Sequence, residues 1–394
     1  MLVFPLSQEH FLRHHFEQQP LIMHGACVAG QIGWSEVDSA MYIGESCDAN
    51  IRVHKDGFVD ESRYTEACVE LGILRKRIMK PVLNQLLAEG ASVIYNRIES
   101  VSPPIRALCN EVARYTGASA IANGYISFGD KETFGNHWDT HDVFAVQLIG
   151  RKRWLVYAPT YPLPLAGQTS LLHKHECPPT PVIDQILEAG DVLYIPRGWW
   201  HTAVPLQEET FHVAIGTHPH TVIDYASWVA KNIWPERLAA RKAVRIDPRG
   251  FDTVMHAKEE LIATLFNEAS FNAFVKHQTE VERLASPFNM ARPFRPSLLE
   301  EISQQTYVLN SKFDGSHLDQ AATVNGASIG HDTDNLMVLK TLAAADRPMS
   351  YRELRDCHPV LGGYELRVTL DDLLRRDIIA WSAMTPSQSE TGVQ

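Results

Sequence analysis

The stretch from Asn136 to Trp154, taken together with His201, constrains this 394-residue chain more than any other feature. His137 and Asp139 stand two positions apart. In a strand, alternate side chains share a face, so both can point into one cavity. An imidazole and a carboxylate on one face make two-thirds of the facial triad that holds non-haem Fe(II). A second histidine must come from a later strand, and the segment Gly190 to His201 supplies one. There the apolar run Val192 to Ile195 reads as a strand, and the turn Pro196-Arg197-Gly198 delivers His201. A His-x-Asp pair alone is weak evidence, because such pairs arise by chance as a core histidine beside a surface aspartate. Here it precedes an apolar run (Val143, Phe144, Ala145, Val146, Leu148, Ile149) suited to a buried strand, and Lys152 follows just beyond that run.

These residues resemble the JmjC family of Fe(II)- and 2-oxoglutarate-dependent oxygenases. Within it, the chain is most similar to the ribosomal-oxygenase branch and its bacterial protein-hydroxylase relatives. The matching motifs are His137-x-Asp139, Asp142-Val143-Phe144, Gln147, Gly150 to Trp154 and the Gly190-to-His201 turn, with looser matches at Phe11 to Leu21, Ile51 to Gly57 and Pro103 to Leu108. The resemblance implies that His137, Asp139 and His201 hold Fe(II), with 2-oxoglutarate and O2 as co-substrates. It implies that Lys152 anchors the far carboxylate of 2-oxoglutarate, and that Thr217 hydrogen-bonds the co-substrate. It also implies that Asn123 and Tyr125 line the substrate side. If residues alternate around Lys152, its side chain shares a face with Trp154 and opposes Arg151 and Arg153. A buried ammonium without a partner is costly, and the co-substrate would complete it.

Composition bounds the remaining possibilities. The length suits two or three domains, and at 45% hydrophobic the chain can bury a sizeable core. No apolar run approaches the roughly 20 residues of a membrane span. The start, Met1-Leu2-Val3-Phe4-Pro5, lacks a basic region before a long apolar core, so no secretory signal is expected. The six cysteines are scattered without a CxxC pair, which suits reduced thiols in the cytoplasm. The net charge of −11 argues against general nucleic-acid affinity and suits a basic partner.

Taken in order, Gln8 to Gln18 reads as a helix stopped by Pro20, Leu21 to Met23 as a strand and Trp34 to Met41 as a helix start. Ile51 to Val53 and Gly57 to Val59 read as a hairpin about Asp56-Gly57. Lys80 to Leu87 reads as a helix, Ser92 to Asn96 as a strand and Ile105 to Tyr115 as a helix. Strands then dominate: Ile121 to Phe128, the His-x-Asp strand, Trp154 to Tyr157, Val192 to Ile195 and His212 to Thr217. Short strands with turn punctuation predict a mainly β fold with helices, a double-sheet jelly roll of cupin type, the double-stranded β-helix that the resemblance also implies. After His220, helical periodicity takes over in Val222 to Ala240, Thr253 to Phe266 and Ser270 to Leu284. Ser286-Pro287 and Arg292 to Pro296 mark a linker. Asn335 to Ala345, a helix opened by the capping box at Ser350 to Glu353, Tyr364 to Arg376 and a wing strand at Ile378 to Trp381 form a helix-turn-helix texture. The expected division is 1–220 catalytic, 221–290 a helical dimerisation module and 291–394 a winged-helix-like domain; the module and the last domain come from the resemblance. The segment 331–394 carries seven Lys/Arg against ten Asp/Glu, so protein docking or a structural role fits better than DNA binding.

Other histidines fit a metal site less well. His141 lies four after His137, but the zincin pattern needs a glutamate after its first histidine, on a helix. His173 and His175 with Cys177 would need one tight loop to give a full zinc set. His212 reads as a core histidine that could also line the pocket. Trp199 and Trp200 read as packing. The sequence departs from the family in the loop Phe128 to Asn136, which in relatives is often richer in Gly and Pro. Lys152 stands where bacterial arginine hydroxylases tend to carry arginine. The expected activity is hydroxylation of an arginine or histidine side chain of a ribosomal protein or other basic polypeptide by a cytoplasmic homodimer. The alternatives are a hydroxylase of another peptide or small molecule, N-methyl-lysine demethylation by the same chemistry, or a non-catalytic cupin-like scaffold.

Overall fold

A computed structural model describes residues 2–288 apart from 29, 31 and 45–49, and residues 302–382 apart from 304, 314, 316–317, 319–322, 330–332 and 346. The linker expected at Arg292 to Pro296, Cys47 and the polar tail lie outside the described residues. The chain divides into two compact units, 1–218 and 219–394.

In the first unit the strands are β1 (Leu21–Met23), β2 (Ile51–His54), β3 (Thr65–Glu70), β4 (Ile73–Ile78), β5 (Ser92–Asn96), β6 (Ser119–Ser127), β7 (Asp142–Ile149), β8 (Lys152–Tyr157), β9 (Ile183–Leu187), β10 (Val192–Ile195), β11 (Trp200–Pro205) and β12 (Thr210–His218). Seven of them form an antiparallel sheet in the order β1-β10-β7-β12-β6-β5-β2, and β11-β8-β9 form a smaller one. Among the described residues, β3 and β4 pair only with each other, as a separate ribbon.

The large sheet is buried on both faces, which is why β7 reads as an unbroken apolar run. Phe144, Val146 and Leu148 join Phe211, Val213 and Ile215 of β12 in a core shared with helix α4 (Pro103–Thr116). Val143 and Ala145 turn the other way, meeting Trp154, Val156, Leu187, Leu193 and Ile195 between the two sheets. Helix α4 forms here because Ser102 caps its start, Pro103 pre-sets its first turn, and Ile105, Leu108, Cys109 and Val112 recur on one face. Gly117 ends it at φ 70°.

Several expected elements differ. Helix α1 (Gln8–His14) stops before Phe16, and Glu17 takes a positive φ of 56°, whereas α2 (Trp34–Gly44) and α3 (Lys80–Ala88) start at the expected residues. The Asp56-Gly57 turn forms with both residues at positive φ, but its second arm is a single bridge from His54 to Phe58 instead of a strand. The helix after His220 ends at Asn232, ahead of Pro235. The ribbon β3–β4, strand β9 and strand β11 were not expected.

In the second unit, α5 (Val222–Asn232), α6 (Gly250–Leu265) and α7 (Glu268–Val281) precede a small sheet of Thr306–Leu309 with Met349–Ser350 and Ile379–Ser382. The helices Thr333–Ala344, Tyr351–Cys357 and Gly363–Arg375 pack on that sheet around Tyr307, Val338, Leu354, Leu370 and Ile379. Ser350 and Glu353 form the reciprocal capping box. No helix among the described residues is long and apolar enough to cross a membrane.

Candidate metal centre

The His-x-Asp pair does not lie on a strand. It sits in the extended segment before β7, which begins only at Asp142, and is held by one antiparallel bridge between His137 and His201. The His137 N–H donates to the His201 carbonyl at 3.1 Å, and the His201 N–H donates back at 2.8 Å. His201 is the second residue of β11. The two histidines therefore meet through direct main-chain pairing, which sequence spacing cannot reveal.

The turn before β11 is tied to the same segment. The Gly198 N–H donates to the Asp139 carbonyl at 3.0 Å. Gly198 has φ 85°, and a Cβ there would lie 2.4 Å from the Tyr161 carbonyl oxygen, so only glycine fits. The Arg197 N–H donates to Asp142 Oδ1 at 2.8 Å, and its guanidinium reaches Glu17 at 2.5 and 2.9 Å and the Pro164 carbonyl at 3.2 Å. Burial pushes the Asp142 carboxyl up to about 7, with the nearby Glu17 adding to the shift.

His137, Asp139 and His201 bring one ligating atom each to within 4.8 Å of one another; among the described residues no other group of three such side chains does this. Each histidine uses Nδ1 on a carbonyl, His137 on Gly135 at 2.9 Å and His201 on Trp199 at 3.0 Å. A donating Nδ1–H leaves Nε2 as the free lone pair, the arrangement that orients metal-binding imidazoles. His201 Nε2 stands 3.4 Å from Asp139 Oδ2. Burial, with His201 adding to it, pushes His137 down to about 4, which keeps the ring neutral. Burial opposes ionisation of Asp139, but the His201 contact and the two imidazoles outweigh it and hold the carboxyl below its usual range. Two imidazoles and a carboxylate form the N/O donor set suited to Fe(II) with open positions.

Lys152 opens β8, and burial alternates as strand geometry requires: Lys152 and Trp154 are buried, Arg153 is exposed. Its ammonium lies 3.0 Å from His212 Nδ1 and has no carboxylate partner among the described residues. Burial pushes Lys152 down to about 7, and burial together with Lys152 lowers His212 well below its ordinary value. The rings of Trp154 and His201 stand 6.4 Å apart, and those of Trp154 and His212 5.2 Å, so Trp154 bridges the cluster and the lysine. His212, treated from sequence chiefly as a core residue, is thus the direct contact of Lys152. Its signal was parity: it stands opposite Tyr125 across the β12–β6 pairing.

Asn123 and Tyr125 alternate with Ala122 and Ile126 of the helix-side core, and so face the barrel interior with His212. Tyr125 stacks on His212 at 4.8 Å, and the Asn123 side chain accepts from the Arg97 N–H at 3.1 Å. Thr217 departs from expectation. It lies an odd number of positions from His212, with Phe211, Val213 and Ile215 on the helix side, opposite Asp142. The pleat turns its hydroxyl away from the lysine. Beside the cluster opens a cleft of about 360 Å³, whose walls include Arg52, Phe58, Glu61, Asn96, Tyr125 and Phe134. Phe134 stands 5.6 Å from the His137 ring.

The other candidates fall elsewhere. His141 packs against His218. His173 pairs with Glu176 at 2.8 Å. Trp200 is fully buried and donates to Thr160 at 2.9 Å.

Two antiparallel sheets packed on each other, with this cluster held by the segment that joins them, make a cupin-type double-sheet architecture. The chain carries a JmjC domain, matched over residues 97–225. It is 26% identical over 218 residues to the bifunctional lysine-specific demethylase and histidyl-hydroxylase NO66 of Drosophila persimilis, covering 55% of this chain and 31% of that protein. It is 27% identical over 224 residues to chicken (Gallus gallus) ribosomal oxygenase 1, covering 55% of this chain and 36% of that protein. The matched segment thus spans about a third of these relatives. A solved structure of the Escherichia coli ribosomal oxygenase YcfD superposes with TM-score 0.54 at 19% identity, covering 97% of this chain and 99% of that one, so the fold is shared. YcfD has also been solved with cobalt and 2-oxoglutarate (TM-score 0.53, 16% identity, 97% of this chain and 100% of that one).

Proposed function

We propose that this chain is an Fe(II)- and 2-oxoglutarate-dependent protein hydroxylase acting on an arginine or histidine side chain of a ribosomal protein. The observation that carries the reading is the pairing, in one barrel, of a two-histidine, one-carboxylate cluster with a buried lysine that, among the described residues, meets only an imidazole. A structural barrel needs neither, and each is costly without a ligand. The names of the ribosomal-oxygenase relatives supply the substrate class. Iron with 2-oxoglutarate and O2 would supply the oxidising power for C–H hydroxylation, with succinate and CO2 as co-products.

The chain's own residues then have definite tasks. His137, Asp139 and His201 would hold the metal through Nε2, a carboxylate oxygen and Nε2. Lys152 would meet the far carboxylate of 2-oxoglutarate, with His212 Nδ1 holding the ammonium in place before the ligand arrives. Trp154, buried beside the His201 and His212 rings, would exclude water from the lysine side of the site. Tyr125, Asn123 and Phe134 would wall the side from which the substrate side chain enters. Thr217 has no part in this arrangement.

The remaining assignments belong to the same reading. Residues 1–220 form the catalytic part, 221–290 a dimerisation module and 291–394 a winged-helix-like domain that docks protein, not DNA, in a cytoplasmic homodimer. Exposed Phe251 on α6, Phe266 just after it and Phe271 on α7 support the dimer, since they are large apolar side chains that an apolar interface would cover. Comparing ribosomal proteins from cells with and without this gene by mass spectrometry tests the substrate. One peptide heavier by a single oxygen only when the gene is present is the expected result. Identical spectra would refute it.

A further inference from the structure

Two aromatic side chains beside the metal centre are left unexplained by packing. Phe58 and Phe134 belong to none of the hydrophobic cores of the first unit, and Phe58 is 66% exposed. Both line the cleft of about 360 Å³. Phe134 stands at its inner end, 5.6 Å from the ring of His137. It meets Tyr125 at 6.4 Å with the ring planes at 90°, so the two form a right-angled corner. Phe58 stands 6.1 Å from Phe134, and His54 packs edge-on against both, at 5.4 and 5.3 Å. The loop that carries Phe134 is fastened from several sides. Lys174 donates to the Phe134 carbonyl at 2.8 Å, Thr133 Oγ1 to Ser92 Oγ at 3.1 Å, and the Gln207 N–H to the Gly129 carbonyl at 2.9 Å. The corner is therefore in place before a ligand arrives, and an incoming flat group would meet the face of one ring and the edge of the other.

Charge decides which flat group fits. Across β2, β5, β6 and β12, Arg52, Ile94, Tyr125 and His212 stand opposite one another in turn, forming one row. Ile51 and Val53, on either side of Arg52, lie in the helix-side core, so Arg52 turns to the cleft. The one acidic residue among those lining the cleft, Glu61, is already shared, by Arg52 at 3.8 Å and Lys76 at 3.4 Å. A guanidinium keeps its charge at every physiological pH. It would enter beside these two cations with no free carboxylate to meet it, and its desolvation would go uncompensated. The aromatic rings attract a guanidinium and an imidazole alike, so they do not separate the two. A neutral imidazole carries no such penalty. The amides of Asn96 and Asn123, opposite each other on the face that carries Tyr125, offer its nitrogens uncharged partners.

Within the hydroxylase reading, on which this rests, we infer that Phe134 and Phe58 determine the target side chain. With Tyr125 they seat a neutral histidine imidazole beside the metal, and Arg52 turns arginine away.

The test compares Phe134→Leu, which keeps apolar bulk without the ring, with Phe134→Tyr, which keeps the ring, both in the full chain. A purified ribosomal-protein mixture is the substrate, and fragmentation mass spectrometry locates the added oxygen. The expected result is oxygen on histidine, with a half-saturating mixture concentration about tenfold higher for Phe134→Leu and within about threefold of wild type for Phe134→Tyr. Titration with Mn(II) and then 2-oxoglutarate should give wild-type affinities in both variants, which separates loss of the corner from damage at His137. Where Phe134→Leu binds Mn(II) more weakly, Phe58→Leu decides, because the Phe58 ring meets His54 and Phe134 and no metal ligand. A raised half-saturation in that variant supports the corner, and an unchanged one overturns it. Oxygen on arginine, or Phe134→Leu saturating like wild type, would overturn the inference while leaving the hydroxylase reading intact. A wild type that oxidises no protein and makes no succinate would remove that reading, and the inference with it.

Discussion

Lys152→Ala is the perturbation whose consequence follows most directly from the barrel interior. Lys152 is 2% exposed, and its ammonium rests on His212 Nδ1 at 3.0 Å. If the far carboxylate of 2-oxoglutarate completes the site, the variant loses a charge-assisted hydrogen bond worth about 1.5–3 kcal/mol. Leaving one partner of a buried charge pair unmatched costs more, about 3–5 kcal/mol. At about 1.4 kcal/mol per decade, 2-oxoglutarate should bind at least tenfold more weakly, and several hundredfold if the full penalty applies. Lys152→Arg should do less harm, since it keeps the charge, although its planar fork is not equivalent. Metal affinity should be nearly unchanged in both, because Lys152 donates no ligand atom. Calorimetric titration of 2-oxoglutarate into protein loaded with Mn(II), a stand-in that does not turn over, reads each affinity. Equal affinities for wild type and Lys152→Ala would refute the anchor.

Three further outcomes follow. Because burial pushes Lys152 down to about 7, it is charged below that pH and neutral above; 2-oxoglutarate affinity should be full below about pH 7 and fall up to tenfold per unit above it, and a flat profile between about pH 6 and 9 would contradict this. Asp139→Ala should abolish tight Mn(II) binding, measured by calorimetry, while the thermal midpoint of metal-free protein changes little. Asp142, raised to about 7, holds its proton when folded but not when unfolded from about pH 4 upward. Its stabilising contribution is therefore present at low pH and lost as pH rises through 7. Asp142→Asn should lessen the fall in thermal midpoint between about pH 4 and 7, and an unchanged fall would count against it.

The centre of the fold was legible because its constraints are local and redundant. β7 reads as a buried strand since both its faces are apolar, and α4 since its cap, proline, period and terminal glycine agree. That Lys152 shares a face with Trp154 and opposes Arg153 followed from alternation, while its place inside the barrel came from the resemblance. What escaped reading was set by tertiary pairing. The His-x-Asp segment forms no strand, and only the bridge to His201 brings its side chains together. Thr217 looked suitable by position, but its parity on β12 sends it to the helix side, a distinction one residue wide. The β3–β4 ribbon was missed because only Ile78 at its base packs against the core, so its apolar alternation stayed short and mixed with Arg75, Lys76 and Arg77. The paired runs about Leu71-Gly72 were the available signal. Phe134, Arg52 and Glu61 come to the cleft from separate loops and strands and left no pattern at all.

If the cluster and Lys152 together oxidise a polypeptide, coupled turnover reveals it. Purified chain supplied with Fe(II), 2-oxoglutarate and O2 should form succinate faster when the ribosomal-protein mixture is added, with one peptide in the mixture gaining a single oxygen atom. Protein that binds metal and 2-oxoglutarate yet forms no succinate with or without the mixture would contradict the account and leave the barrel a scaffold.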